Sequence, residues 1–170
     1  TPRIALWGGD TCSKNGMATR FSCTNDLRFT SRVSRGVRSM RLRSGDEIAG
    51  MSVVGSDAKD KCMLVMTERG FGKRVKVSDF RTQARGGIGT IAIKFKKGEK
   101  DDKMVCMTLV EEDSEVMLIT NSGIIVRQNV KDIPTQSKTA TGVRVQKVDD
   151  GDFIAKVTLV PPSNSQLPKR

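Results

Sequence analysis

The stretch ERGFGKRVKVSDF at 68–80, followed by QARGGIGTIAIKF at 83–95, is answered twice elsewhere in the chain. Upstream it is matched by KNGMATRF at 14–21, NDL at 25–27 and SRVSRGVRSMRL at 31–42. Downstream it is matched by NSGIIVRQNVKDI at 121–133 and SKTATGVRVQKV at 137–148. The leading glycines Gly16, Gly70 and Gly123 are 54 and 53 residues apart. Four positions after each comes Arg20, Arg74 or Arg127, and nine or ten after comes Asp26, Asp79 or Asp132. A second glycine follows at Gly36, Gly89 and Gly142, with Arg32, Arg85 and Lys138 four positions before it. Asp46 and Asp152 lie ten positions after Gly36 and Gly142, while the middle copy carries an insertion, GEKDDK, at that point. Self-similarity at a fixed period of this size marks a repeat architecture in which each unit buries its apolar face against the next.

Within the unit the pattern is strand-like. Ile91, Ile93 and Phe95 alternate with Ala92, Lys94 and Lys96, the period of two expected of a half-buried strand. The runs KCMLVMT (61–67), MVCMTLV (104–110) and VMLIT (116–120) are short, β-rich and bounded by polar turns. The reading is an all-β chain with about four short strands per repeat, the size of a propeller blade. The repeats are expected at about 14–67, 68–120 and 121–160. Residues 1–13 are expected to form a partial or degenerate strand region, and 161–170 a disordered tail.

Composition narrows the chemistry. The chain has 170 residues, 30 Lys and Arg against 19 Asp and Glu, a net charge of +11, four cysteines, and no histidine or tyrosine. Without histidine there is no Ser-His triad and no imidazole base. The cysteines (Cys12, Cys23, Cys62, Cys106) form no CxxC pair, so neither a zinc site nor a disulfide framework is expected. No catalytic residue, metal ligand or cofactor site is assigned. No apolar run reaches the length of a spanning helix and no membrane partner is expected. The strongly basic balance points to a polyanionic partner.

The charge is segregated along the chain. Residues 14–43 hold eight bases and one acid, 73–97 the same, and 99–115 hold seven acids and two bases. That pattern suggests bases gathered along one rim. The candidate DNA-binding residues are Arg20, Arg32, Arg35, Arg38, Arg41, Lys73, Arg74, Arg85, Lys94, Arg127, Lys138 and Arg144. Arg38, Arg41 and Arg43 are expected on a strand equivalent to IAIKF. Gln83, Arg85, Gly86, Gly87 and Gly89 form a glycine-rich loop with two readings: an anion-facing backbone, or a tight inter-strand turn. Stacking platforms for single strands are scarce, with six Phe and one Trp, so backbone contacts to duplex fit better. Asp26, Asp79 and Asp132 recur once per repeat and are expected to be turn caps or ion-pair partners, not catalysts.

GFGKRVKVSDF with RGGIGTIAIKF, MLITNSGIIVR, TATGV and SRGVRSMRLRSGDEI together resemble the later blades of the C-terminal DNA-wrapping domain of the DNA gyrase A protein, over residues 14–160. The resemblance implies a β-pinwheel, a six-bladed disc with exchanged strands, of which three repeats make a partial disc. It implies a non-catalytic, duplex-binding part of an ATP-dependent type II topoisomerase that introduces negative supercoils. ATP and magnesium would then act elsewhere in the holoenzyme. The partners implied are duplex DNA, the remainder of the gyrase A protein and the gyrase B protein, in the bacterial cytoplasm and nucleoid or in a chloroplast or mitochondrion. The family's glycine box carries bases where this chain has Ala84 and Ile88. Thr1 in place of a methionine suggests a piece of a longer protein. The alternatives are the corresponding domain of topoisomerase IV and an unrelated basic β-repeat scaffold that binds RNA or other anions. The expected DNA arc uses Arg20, Arg74 and Arg127 together with Arg32, Arg85 and Lys138.

Overall fold

The computed structural model describes residues 6–27, 31–98 and 101–160. The tail at 161–170 and residues 1–5 lie outside them. Each repeat opens with a hairpin whose turn is closed by the first glycine. Gly16, Gly70 and Gly123 have φ of 81°, 82° and 91°, and each donates its amide to a carbonyl three residues back at 3.0 Å. Only glycine enters that left-handed region without cost, which is why this residue recurs.

An aspartate latches each of these turns. Asp46 Oδ1 accepts the amides of Asn15 (3.0 Å) and Glu47 (2.9 Å). Asp102 Oδ1 accepts those of Arg69 (3.0 Å) and Lys103 (2.9 Å). Asp152 Oδ1 accepts those of Ser122 (3.0 Å) and Phe153 (2.9 Å). The middle repeat therefore keeps the latch, moved to Asp102 by its insertion. Asp26, Asp79 and Asp132 each end a single helical turn, at Cys23–Asp26, Val77–Asp79 and Val130–Asp132. Asp26 caps its own turn by accepting the Ser22 amide at 3.0 Å.

The strands form three antiparallel sheets. The first orders β3 (Ile48–Gly55), β1 (Leu6–Ser13), β2 (Met17–Phe21) and β6 (Thr90–Ile91). The second orders β7 (Met104–Val110), β4 (Cys62–Thr67), β5 (Phe71–Lys76) and β10 (Val143–Arg144). The third orders β11 (Ile154–Val160), β8 (Glu115–Thr120) and β9 (Ile125–Asn129). The outer strand of each four-stranded sheet belongs to the next repeat. Thr90 pairs with Ala18 and Ile91 with Met17; Val143 pairs with Gly72 and Arg144 with Phe71. This exchange is the pinwheel arrangement.

Three sequence expectations change here. Residues 6–13, expected as a degenerate strand region, form an eight-residue strand paired on both sides. The expected strand over Arg38, Arg41 and Arg43 is an irregular segment, and its counterpart is a strand only at Thr90–Ile91. The alternation through 91–95 also fails: Ala92 and Ile93 are both buried and Ile91 is exposed. An exchanged segment bends inward after two paired residues, which breaks the period of two.

The core lies between sheets. Met63 and Val65 of β4 pack toward the first sheet with Val54, Phe80 and Ile93. Leu64 and Met66 pack the other way, with Val116, Leu118, Ile133 and Ile154. A strand covered on both faces needs apolar residues without alternation, which accounts for the unbroken run MLVM. Cys12 belongs to the first cluster, and burial pushes its thiol up to about 12, as suits a small packing residue.

Candidate nucleic-acid interface

The second glycine of each repeat positions the basic segments. Gly89 and Gly142 have φ of 86° and 81°. A Cβ at Gly89 would sit 2.5 Å from the Ala18 carbonyl oxygen, and one at Gly142 2.7 Å from that of Gly72. These glycines let an outer strand approach the preceding sheet's backbone. For Gly89, the structure thus supports the tight inter-strand reading of the glycine-rich loop. Gly86 (φ 82°) turns the loop, and the loop rests on the first repeat: Gly86 N donates to Ser39 O and Arg41 N to Gly87 O, both at 2.8 Å.

Three of the expected DNA contacts are spent inside the protein. Arg20 grips Asp10 through Nε (2.8 Å) and Nη2 (2.7 Å), and its Nη1 donates to the carbonyls of Val77 (2.7 Å) and Phe80 (3.2 Å). Arg74 also reaches the next repeat, with fewer bonds, donating to the Ile133 carbonyl at 2.6 Å and reaching the exposed Glu112 at 3.4 Å. Lys73 is fully buried, with Nζ donating to the carbonyls of Ser137, Lys138 and Ala140, each at 2.8 Å. Burial pushes this ammonium down to about 8 from its ordinary 10.5, while the three carbonyls hold its protons. These side chains join one repeat to the next, and their donors are not available to a phosphate. Arg127, the third member of the arginine series, is exposed but paired with Glu115 at 2.8 Å.

The remaining bases flank the second glycine. Arg32, Arg85 and Lys138 precede it by four residues; Arg41, Lys94 and Lys147 follow it by five. Arg32, Arg41, Lys94 and Lys147 are exposed. Arg85 is half-buried and donates to Arg38 O at 3.2 Å, and Lys138 to Asp79 O at 3.3 Å. Among the described residues none of the six makes an ion pair. Arg35 and Arg38 are exposed beside Gly36. Arg144 lies over the Phe71 ring at 4.7 Å and Lys96 over the same ring at 5.2 Å, so two cations meet at this outer edge. Lys147 and Lys96 are not among the residues expected from the sequence. Lys147 is signalled by its repeat spacing, and Lys96 by the run KFKK at 94–97.

The arrangement offers hydrogen-bond donors and positive charge, suited to spaced phosphates. Among the described residues no cluster of His, Cys, Asp or Glu could hold a metal ion, and no helix is long and apolar enough to cross a membrane.

Comparison with known proteins agrees with the fold. The sequence is 44% identical over 184 residues to the DNA gyrase A protein of Synechocystis sp., covering 91% of this chain and 21% of that protein. It is 39% identical over 141 residues to the DNA gyrase A protein of Staphylococcus epidermidis, covering 83% of this chain and 15% of the relative. The chain thus spans about a fifth or less of these relatives. Among solved structures, a DNA gyrase A C-terminal domain superposes with a TM-score of 0.78 at 28% identity, over 91% of this chain and 50% of that one. A DNA topoisomerase IV C-terminal domain superposes with a TM-score of 0.83 at 22% identity, over 92% of this chain and 47% of that one, a likeness of fold. The profile of the family described as DNA gyrase C-terminal domain, beta-propeller, matches residues 11–55, 63–100 and 114–161, and the chain belongs to that family.

Proposed function

We propose that this chain is a non-catalytic duplex-DNA-binding part of a DNA gyrase A protein, which bends DNA along its outer edge. The observation that carries the reading is the division of labour among repeat-registered bases. Arg20, Lys73 and Arg74 are consumed between repeats, whereas Arg32, Arg41, Arg85, Lys94, Lys138 and Lys147 recur around the second glycine without an acidic partner among the described residues. Smoothly bending 20–30 bp by 40–90° costs on the order of 1–6 kcal/mol, which phosphate contacts spread over successive repeats offset. The remainder of the gyrase A protein and the gyrase B protein are the proposed partners. Strand cutting, ATP and magnesium belong to those parts, in a bacterial cytoplasm or an organelle. The glycine-rich loop contributes Arg85 and otherwise serves to seat one repeat on another.

The test is anisotropy of a labelled duplex of about two helical turns over a salt series. With about 6 phosphate contacts, affinity falls roughly a thousandfold between 50 and 200 mM salt. Replacing Arg41, Lys94 or Lys147 by Ala weakens binding across unrelated sequences and lowers the salt slope by about one each. A salt-independent affinity overturns the reading, and preference for duplex RNA over DNA favours the scaffold alternative.

A further inference from the structure

The junction between the first and second repeats and that between the second and third are anchored alike. Gln83 N donates to Arg20 O at 2.7 Å, and Gln136 N to Arg74 O at 2.8 Å. Arg20 forms a bridge with Thr82, and Arg74 with Thr135. The turn that follows is held from behind, by Arg41 N on Gly87 O at 2.8 Å and by Lys94 N on Ala140 O at 3.3 Å. Each turn ends on the glycine that touches the strand beneath it, Gly89 at Ala18 O and Gly142 at Gly72 O. The turns at 84–87 and 137–140 therefore sit at the same place over β2 and β5.

What lies beneath them differs. Lys73, three residues past Gly70, sends its ammonium into the carbonyls of Ser137, Lys138 and Ala140 at 2.8 Å each. By position the first junction offers the carbonyls of Ala84, Arg85 and Gly87, but the residue three past Gly16 is Thr19, whose side chain ends well short of an ammonium's place. Thr19 is 2% exposed, and its Oγ1 has no hydrogen-bond partner among the described residues. Thr11 stands opposite Thr19 in the β1–β2 register, on the same face, and its Oγ1 is likewise buried without a partner. A buried hydroxyl left so is costly unless something binds it. Both walls of this place belong to the chain itself, one from each of two consecutive repeats.

We infer that the first junction binds a monovalent cation of ammonium size, potassium above all, on the carbonyls of Ala84, Arg85 and Gly87 with the Thr19 hydroxyl as a further ligand. The ion does there what the Lys73 ammonium does one repeat later. Carbonyl oxygens converging on one point select a cation and replace its hydration shell. The 2.8 Å spacing of the Lys73 cradle is longer than the about 2.3–2.6 Å of calcium or about 2.1 Å of magnesium, and the donor set holds no carboxylate, so a divalent ion is disfavoured. The inference is independent of the DNA-binding reading, because its ligands are neutral oxygens and its test contains no DNA.

The experiment is urea unfolding of the 170-residue chain in about 200 mM potassium chloride and in choline chloride at the same concentration. With a Kd on the order of 10 mM, as suits ligands without formal charge, the folding equilibrium constant is about 20-fold larger in potassium. Rubidium and ammonium chloride reproduce the gain, and lithium chloride does not. Thr19→Val is at least as stable as wild type in choline and loses most of the potassium gain, whereas a threonine that only packs would shift both salts alike. Thr19→Lys supplies a tethered ammonium and is equally stable in both salts. Equal wild-type stability in potassium and choline, a lithium gain as large as that of potassium, or a potassium gain unchanged in both variants each overturns the inference.

Discussion

Replacing Lys73 by methionine keeps an unbranched apolar stem, one heavy atom shorter, and removes the three donors. The wild-type ammonium holds the carbonyls of Ser137, Lys138 and Ala140 at 2.8 Å each. Hydrogen bonds from a charged donor contribute roughly 1.5–3 kcal/mol apiece, so about 4.5–9 kcal/mol is lost in gross terms. Against this stands the cost of burying the charge. A fall from 10.5 to about 8 corresponds to roughly 3 kcal/mol at ~1.36 kcal/mol per pH unit. The net loss is then about 1.5–6 kcal/mol, which at 2–4 °C per kcal/mol for a chain of this size lowers Tm by roughly 3–24 °C. The pH dependence supplies a second reading of the same site. The folded pKa lies below the unfolded one, so the unfolded chain binds more protons between about 8 and 10.5. The titration of Lys73 therefore favours the folded state increasingly as pH rises through that window, and the Met variant lacks this contribution. Urea unfolding of both proteins from pH 7 to 10 measures both effects. A variant as stable as wild type at pH 7 refutes the clamp, and a pH-independent stability gap refutes the depressed pKa.

Arg20→Ala strands the buried Asp10 carboxylate and costs about 3–5 kcal/mol by the measure of broken buried pairs, whereas Arg38→Ala changes stability by less than about 0.5 kcal/mol; parallel urea titrations decide this. Asp152 is held down to about 2 by hydrogen bonds, Ser122 first among them. Its folded pKa lies below the ordinary 3.8, so its stabilisation is present above that value and lost as pH falls through about 2. Acid unfolding of Asp152→Asn should accordingly lack the part of the wild-type loss in that window. Gly142→Ala places a Cβ 2.7 Å from Gly72 O at φ 81°, and thermal melting should show a loss of at least ~1–2 kcal/mol from the left-handed backbone alone.

The repeat and its β character are legible because backbone requirements recur with it: a left-handed glycine at each hairpin and at each exchanged strand leaves the same letter at the same spacing. The direction of the arginines is not legible. Arg20, Arg74 and Arg127 share a spacing, yet two point into a carbonyl cradle and one points out, because the cradle comes from the following repeat. Lys73 is hidden for the same reason. Its counterparts Thr19 and Val126 are not bases, and its burial depends on a loop more than sixty residues away. Asp102 is masked by the insertion that displaces it. Lys147 is readable, since it stands five residues past its glycine as Arg41 and Lys94 do.

The strand exchange also sets an order of events during synthesis. β2 is complete once Phe21 has been made, but its outer neighbour, Thr90–Ile91, is not yet translated, and β5 waits likewise for Val143–Arg144. A chain growing from a ribosome therefore carries an unfinished sheet edge at every stage, always one repeat behind the point of elongation. Release of each repeat to its native state is timed by the arrival of the next, so a stall within 80–90 would leave the first sheet without its last strand and prone to protease attack at that edge.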